Sequence, residues 1–254
     1  MDRKPLILSI ESATLACSVA LLQGEEVIAH RHEVDTTYIH AERLLPLIDD
    51  MLFDTKVARE DLNAVIVSSG PGSYTGLRIG VATAKGLCHA LHIPFIAMDT
   101  LASLAYQASR LSPAPWDAVV CVLDARRDEV YTATFEPNGN IWTKGSATRA
   151  LVLDPNIPLD PLFPLAAQHK NVVVIGDAAI KTQNLLGESA SHWTFIQATP
   201  CARDAGACAA QKHAAGEFED IAYFEPRYLK EFIAGVPRDP LGLRKRAIDN
   251  PAKA

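Results

Sequence analysis

The sequence predicts an α/β protein built from two related halves, the second looser than the first. In the first half, three short apolar segments typical of strands precede a helix, a buried strand and a second helix. A similar order begins again near residue 116, with the strand WDAVVCVLD and a hairpin whose turn is marked by Asn138-Gly139. The break between the halves falls in the segment SPAP at 112–115. Strands that alternate with helices in this way indicate layers of helix against sheet.

The elements of the first half follow from the spacing of their apolar residues. LILSIE at 6–11, CSVALLQ at 17–23 and the VIAHRHEV that follows predict an antiparallel meander. Apolar residues recur at three- and four-residue spacing across 39–53, which predicts a helix with Pro46 in its first turn or at a kink. NAVIVSS at 63–69 predicts a buried parallel strand, and a helix follows it.

Composition and charge indicate a cytoplasmic protein without a membrane anchor. The 254 residues carry a net charge of -6, and no apolar run approaches the ~20 residues of a membrane-spanning helix. Five cysteines without a CxxC argue against a disulfide framework or a zinc knuckle. An acidic chain without a basic face is not expected to bind nucleic acid strongly alone. We interpret the basic cluster at 244–246 as part of a solvated tail.

The segment SSGPGSYTGLRIG at 68–80 joins the buried strand to the second helix. It could bind phosphate, carry a catalytic nucleophile or allow close packing of another backbone. It fits neither the P-loop spacing nor the dinucleotide fingerprint, because Thr75 stands where the third glycine of the latter belongs. No G-x-S-x-G nucleophile elbow is present. The third role is close packing, since glycine inside a helix costs roughly 1 kcal/mol against alanine and implies another backbone nearby, of the same domain or of a partner. The small residues of this helical stripe are Gly72, Gly76, Gly80 and Ala84.

Candidate catalytic and metal-binding residues are few. His30 and His32 share one face of a strand, which could suit a metal but is more typical of a solvated face. Glu11 ends the first strand, and a lone carboxylate is not a metal site. The charged segment 124–131 either faces a cleft between the halves or is a turn held by its own ion pairs; we favour the second interpretation.

Several segments together resemble one protein family. SGPGSYTGLRIGVATAKGL, ESATLACSVAL, HAERLLPLI, LDARRDEVYTATF and EPRYL are similar to the TsaB (YeaZ) family, over about 6–229. The resemblance implies the two-lobed fold of actin, Hsp70 and sugar kinases, which is ribonuclease H-like, with a reduced second lobe. The lobes would be 1–112 and 113–236, the second including a returning C-terminal helix, and 237–254 would be a flexible tail.

The resemblance also implies a function. Members of the family take part in forming N6-threonylcarbamoyladenosine on the adenosine next to the anticodon of tRNAs that read ANN codons. A TsaB-like chain is implied to be a scaffold and activator and not an enzyme, without a cofactor, while the paralogous TsaD is the catalyst and the ATPase TsaE joins them. Alone, such a chain is implied to form a homodimer, and tRNA would be reached indirectly through the complex.

Departures from the catalytic paralogue agree with that role. Where TsaD carries an H-x-x-x-H metal pair, this chain has Asp99 and Ser103, which cannot form an imidazole site. The turn after the first strand reads ESAT where ATP-using relatives have Asp-x-Gly, and Gly176-Asp177 offers one glycine in place of two, so an ATP site is predicted to be weak or absent. These features count against two alternatives, a metal-dependent M22-like peptidase and an ATP-dependent kinase-like enzyme.

By the same resemblance, the partner surface is a bundle of two helices from each partner, here 39–53 and 75–92. The stripe of small residues would form its seam, and on that hypothesis Gly80→Leu leaves the chain folded but abolishes association with TsaD. The predicted partner-binding residues are Leu44, Leu45, Ile48, Gly72, Gly76, Arg78, Gly80, Ala84 and Lys85.

Overall fold

The computed structural model describes residues 4–112, 115–139, 141–154, 156–157 and 159–230. The predicted flexible tail and its basic cluster lie outside these residues.

The first lobe contains a five-stranded mixed sheet. Strands β1 (Leu6–Glu11), β2 (Ala16–Gln23) and β3 (Glu26–Val34) form the predicted antiparallel meander, while β4 (Ala64–Ser68) and β5 (Phe95–Met98) are added in parallel. The strand order is β3-β2-β1-β4-β5. Every residue of β1 and β4 is buried, because helices cover both faces of the sheet there, which explains their continuous apolar sequence.

Helices α1 (His40–Thr55) and α2 (Tyr74–Leu91) cover one face of this sheet. Pro46 lies inside α1 and not in its first turn. The Ser73 hydroxyl begins α2 by accepting the N–H of Gly76 at 3.2 Å, and the helix ends at His92, whose backbone is left-handed. A hydroxyl at this position satisfies one of the N–H groups that the first helical turn leaves unpaired.

The second lobe repeats the arrangement around a six-stranded sheet. A hairpin supplies part of it, as predicted, with Gly139 at a φ of 62° in its turn. The helices of this lobe are short, so the reduction predicted for it lies in its helices and not in its sheet. The elements are β6 (Ala118–Asp124), β7 (Glu129–Asn138), β8 (Ile141–Lys144), β9 (Arg149–Val152), α4 (Leu159–Leu162), β10 (Val172–Gly176), α5 (Ala179–Leu186) and β11 (Thr194–Gln197), and the sheet order is β11-β10-β6-β7-β8 with β9 on β7.

Two helices connect the sheets. Helix α3 (Thr100–Leu111) packs its apolar face on the second sheet, and Ala102 also touches the cluster beneath the first. Helix α6 (Gly206–Ala215) returns to the first sheet, where Ala209 packs among residues of β1, β2, β4 and β5. The chain then runs along the edge of the first lobe, and the N–H of Glu219 donates to the carbonyl of Phe95 on β5 at 2.8 Å. This terminal segment covers an edge strand that would otherwise be unpaired.

Candidate functional site

The glycine stripe of α2 faces the interior of its own lobe. A Cβ at Gly76 would overlap the carbonyl oxygen of Ser12, and a Cβ at Gly80 would overlap the Ser12 hydroxyl. Gly76, Gly80 and Ala84 are buried, and half-buried Gly72 meets the carbonyl of Ala13 in the same way. The close backbone approach is confirmed, but the backbone that fills the stripe is the β1–β2 turn of the same chain. The prediction that these residues form the seam with a partner is therefore wrong.

Two apolar residues of α1 are also placed differently from the prediction. Leu44 and Ile48 are each only 1% exposed and belong to the core between α1 and the first sheet, so the prediction that they touch a partner is wrong as well. Residues advance by about 100° around a helix, so the neighbouring Leu45 points outward and is 53% exposed. Arg78 on α2 is exposed and Lys85 is half-buried.

The solvent-facing side of the two helices remains as one candidate surface. Phe53, which the sequence interpretation did not select, is 84% exposed at the end of α1. Gly86 on α2 is exposed, and a Cβ there would meet nothing within 4 Å. We call Leu45, Phe53, Arg78, Lys85 and Gly86 the outer helical surface. The outer helical surface combines large apolar side chains, cations and a glycine on two neighbouring helices.

A cavity of about 680 Å³ between the lobes is the second candidate site. Its volume is within the range of small-molecule sites in proteins. The segment predicted to be either a cleft wall or a self-contained turn lines this cavity, and it also carries ion pairs, Asp124 with Lys181 at 2.7 Å and Glu129 with Lys230. The lining comprises residues 13–15, 72–75, 123–126 and 228–230, with Tyr38, Tyr131 and Asp177.

Two carboxyl groups with raised pKa values lie at the ends of β1 and β10. Glu11 is fully buried, and its Oε1 accepts the N–H of Ala13 and the hydroxyl of Ser68, both at 2.8 Å. Its Oε2 has no hydrogen-bond partner among the described residues, and burial raises the pKa of this carboxyl to about 7. Burial likewise raises the pKa of Asp177 to about 6, although its Oδ1 accepts the N–H of Asp124.

The two residues at the metal-pair positions have structural roles. Asp99 caps α3 through a 2.8 Å bond from the N–H of Leu101, and its other oxygen pairs with Lys144 and, at 3.2 Å, with Arg227. Buried Ser103 donates its hydroxyl to the carbonyl of Thr100 at 2.8 Å.

The two histidines of β3 do not form a metal site with neighbouring groups in the described part of the chain. His30 and His32 are exposed, as favoured from the sequence, and Nδ1 of His32 lies 3.3 Å from the Sγ of Cys201. Burial lowers the pKa of His32. In the part of the chain that the structure describes, no group of three or more His, Cys, Asp and Glu residues could hold a metal ion.

The structure adds a group of residues that sequence reasoning did not select, although the EPRYL motif marks them. The N–H of Arg227 donates to the carbonyl of Ser69 at 2.7 Å. The ring of Tyr228 lies 4.6 Å from that of Tyr74, and its hydroxyl accepts a 3.2 Å bond from Nε of Arg78. Residues 227–230 therefore link the glycine turn and α2 to the β6–β7 turn of the second lobe, closing one wall of the cavity.

Comparison with known proteins finds a family model and curated relatives that match most of this chain. A family model described as TsaD, tRNA N6-adenosine threonylcarbamoyltransferase, matches residues 35–234. The tRNA threonylcarbamoyladenosine biosynthesis protein TsaB of Escherichia coli (strain K12) is 34% identical over 230 residues, which cover 90% of this chain and 96% of that protein. The Bacillus subtilis (strain 168) protein of the same name is 31% identical over 233 residues, covering 88% and 93%.

A solved structure also matches most of this chain. YeaZ from Pseudomonas aeruginosa matches with a TM-score of 0.75 and 28% identity, over 89% of this chain and all of that one. The predicted two-lobed α/β fold is confirmed, and it is the fold of YeaZ. Among the described residues, no helix is long and apolar enough to cross a membrane.

Proposed function

The chain belongs to the TsaB family of tRNA threonylcarbamoyladenosine biosynthesis proteins, and we propose that it serves there as a non-catalytic scaffold that binds a TsaD subunit. The modification would be made on the adenosine next to the anticodon of tRNAs that read ANN codons. TsaE would join the complex as its ATPase, and the chain alone would form a homodimer through the surface that it offers to TsaD.

The non-catalytic role is supported chiefly by the structural hydrogen bonds that Asp99 and Ser103 make. Both side chains are committed to hydrogen bonds that hold α3, and Asp99 also anchors two cations. A metal would have to displace these partners. The turn after Glu11 adds to this, because residues 12–15 contain neither a glycine nor a cationic residue that could hold a phosphate.

The outer helical surface is our candidate for the contact with TsaD. Large apolar side chains such as Leu45 and Phe53 lose much of their exposure to water when a partner covers them, which favours association. Gly86 lets another backbone approach α2 from the solvent side. This assignment replaces the inward-facing stripe while keeping the two helices that the family resemblance implies.

Binding of purified TsaD tests the proposal by isothermal titration calorimetry. Leu45→Glu places a charge on the outer helical surface and is expected to weaken binding at least tenfold. Ile180→Glu is the matched control, because Ile180 is similarly exposed but lies on α5 of the second lobe. Unchanged affinity of Leu45→Glu and of Phe53→Glu would rule out this surface. Failure of the unmodified chain to bind TsaD would overturn the scaffold function.

A further inference from the structure

We infer that the tight turn between β6 and β7 contacts the phosphate backbone of RNA, and that tyrosines of the adjoining interlobe cavity stack on an unpaired base. The inference rests on the proposed function, in which the assembled complex receives a tRNA. It assigns to this chain a direct contact with that tRNA beside the cavity. Arg78, whose guanidinium lies over the Tyr74 ring, belongs both to this site and to the outer helical surface.

The turn presents two adjacent arginines in an unusual backbone conformation. Arg126 and Arg127 have φ angles of 69° and 51°. Residues other than glycine and asparagine rarely adopt this left-handed region of the backbone. The conformation is held by the N–H of Arg126 on the Asp124 carboxylate at 2.9 Å and by two backbone bonds between residues 125–126 and Glu129. A rigid turn thus holds two like charges side by side, although neither strain nor repulsion favours that arrangement in the isolated chain.

Most other arginines of the described chain have partners. Five of them pair with carboxylates, one bonds a tyrosine hydroxyl and one bonds a backbone carbonyl. These are Arg31, Arg43, Arg59, Arg110, Arg227, Arg78 and Arg149. By contrast, the exposed guanidinium groups of Arg126 and Arg127 have no hydrogen bond or ion pair within the residues that the structure describes. Planar guanidinium groups without a partner are suited to bidentate bonds with phosphate.

The cavity beside the turn is lined with aromatic rings. Tyr38 is 45% exposed at its edge, and Tyr131 lies on β7 next to the arginine turn. Tyr74 and Tyr228 also line the cavity, with ring centres 4.6 Å apart and ring planes tilted by 36°, and the guanidinium of Arg78 lies 4.2 Å from the centre of the Tyr74 ring. Proteins that recognise unpaired RNA bases use aromatic and guanidinium planes of this kind.

The charges divide the site into two zones. Asp124 and Asp177 line the cavity and repel a phosphate group placed beside them. The arginine turn is exposed: Arg126 also lines the cavity, whereas Arg127 lies outside its lining. A base inside the cavity with its phosphates outside satisfies both zones. An acidic protein segment would bind the arginines but would not stack on the aromatic side chains. RNA would contact both groups of residues, so we favour RNA as the ligand. Because the whole chain carries a net charge of -6, this contact is expected to add to binding by the complex and not to suffice alone.

The test measures how strongly tRNA binding to the complex depends on salt. Arg126→Asn together with Arg127→Asn removes both charges while keeping a residue that tolerates positive φ, so the turn is expected to fold. Loss of two phosphate contacts should reduce the magnitude of the slope of log Kd against log salt concentration by about 1.4 to 1.8. Binding of unmodified tRNA to the complex with TsaD should weaken about tenfold near 0.1 M salt.

The matched control removes the same charge elsewhere. Lys4 and Lys170 are exposed residues that precede β1 and β10, whose opposite ends lie at the cavity. Lys4→Gln with Lys170→Gln is expected to leave the salt slope within about 0.5 of the unmodified complex. In the aromatic zone, Tyr38→Ala should weaken tRNA binding about fivefold or more without changing the slope, because stacking involves no release of counterions. Tyr38→Phe should bind like the unmodified chain.

The outcomes separate this inference from the proposed function. If the arginine variant still forms the complex with TsaD and has the salt slope of the unmodified chain, the RNA contact is overturned and the scaffold function stands. A fall in slope that the lysine control reproduces would also overturn it, since net charge alone would explain the result. If the unmodified chain does not bind TsaD, both proposals fail together.

Discussion

The carbonyl oxygen of Ser12 occupies the place that a side chain on Gly76 would need. The β1–β2 turn and helix α2 therefore touch backbone to backbone, and they form one wall of the interlobe cavity together. This relationship explains why α2 tolerates glycine at two interior positions, since Gly76 and Gly80 both admit Ser12 of the turn in place of a side chain. It also makes the spacing of those glycines a requirement of folding.

Gly76→Ala is accordingly expected to destabilise the protein by about 2–3 kcal/mol, because the new methyl group must push the Ser12 carbonyl away. Gly86→Ala on the same helix is the matched control. Nothing lies within 4 Å of a Cβ there, so it should stabilise the protein by up to about 1 kcal/mol through helix propensity. Urea unfolding of both variants measures the two effects. Equal stability of Gly76→Ala and the unmodified protein would contradict the packing of the stripe.

Glu11 makes stability depend on pH. Burial raises the pKa of its carboxyl from 4.5 to about 7, so the folded state binds more protons than the unfolded state between these values. The free energy of unfolding should therefore fall as pH rises from about 4.5 to 7 and then level off, with a total contribution of about 3 kcal/mol.

Glu11→Gln removes this ionisation while leaving an oxygen that can accept the bonds of Ala13 and Ser68. Its stability relative to the unmodified protein should increase by about 3 kcal/mol between pH 4 and pH 8. Urea unfolding at a series of pH values gives the comparison, with Glu60→Gln at an exposed position as the control for removal of a carboxylate. A stability difference that stays constant across this pH range would show that the buried carboxyl is not the cause.

Asp99 should be a stability determinant and not a ligand of a metal. Asp99→Ala removes a helix cap and leaves Lys144 and Arg227 without their shared carboxylate, for an expected loss of about 2 kcal/mol. Asp99→Asn keeps an oxygen that can cap α3 and should lose about half as much. Thermal unfolding with and without added zinc measures both. A zinc-dependent rise in Tm that Asp99→Asn abolishes would contradict this role.

Adjacent leucines of α1 should behave in opposite ways. Leu44→Ala empties a buried position and is expected to cost about 2–5 kcal/mol of stability. Leu45→Ala alters an exposed position and should change stability by less than about 0.5 kcal/mol, while weakening association with TsaD. Chemical unfolding and calorimetric titration of the same two samples separate the effects. Equal stability losses would mean that the facing of α1 is misassigned.

Much of the fold could be predicted because its signals are local. The branched apolar run of β1, the three- and four-residue spacing in α1 and the Asn138-Gly139 turn each depend on residues close in sequence, and each element is present. The motifs likewise identified the family, which the comparisons confirm. The position of Pro46 was less predictable, because packing of α1 on the sheet outweighs the local penalty of a proline.

The amino-acid sequence by itself determined the α/β class, the two related lobes, the family and the need of α2 for a close backbone neighbour. Only the tertiary structure decided which backbone that is. A glycine at position 76 indicates that another group needs the space of a side chain, but it does not indicate which residue that group belongs to. It likewise decided that Leu44 is core and Leu45 is surface, because both are leucines and only the direction in which α1 lies on the sheet distinguishes them. The cavity arises where segments of both lobes meet, and that meeting depends on packing between the lobes.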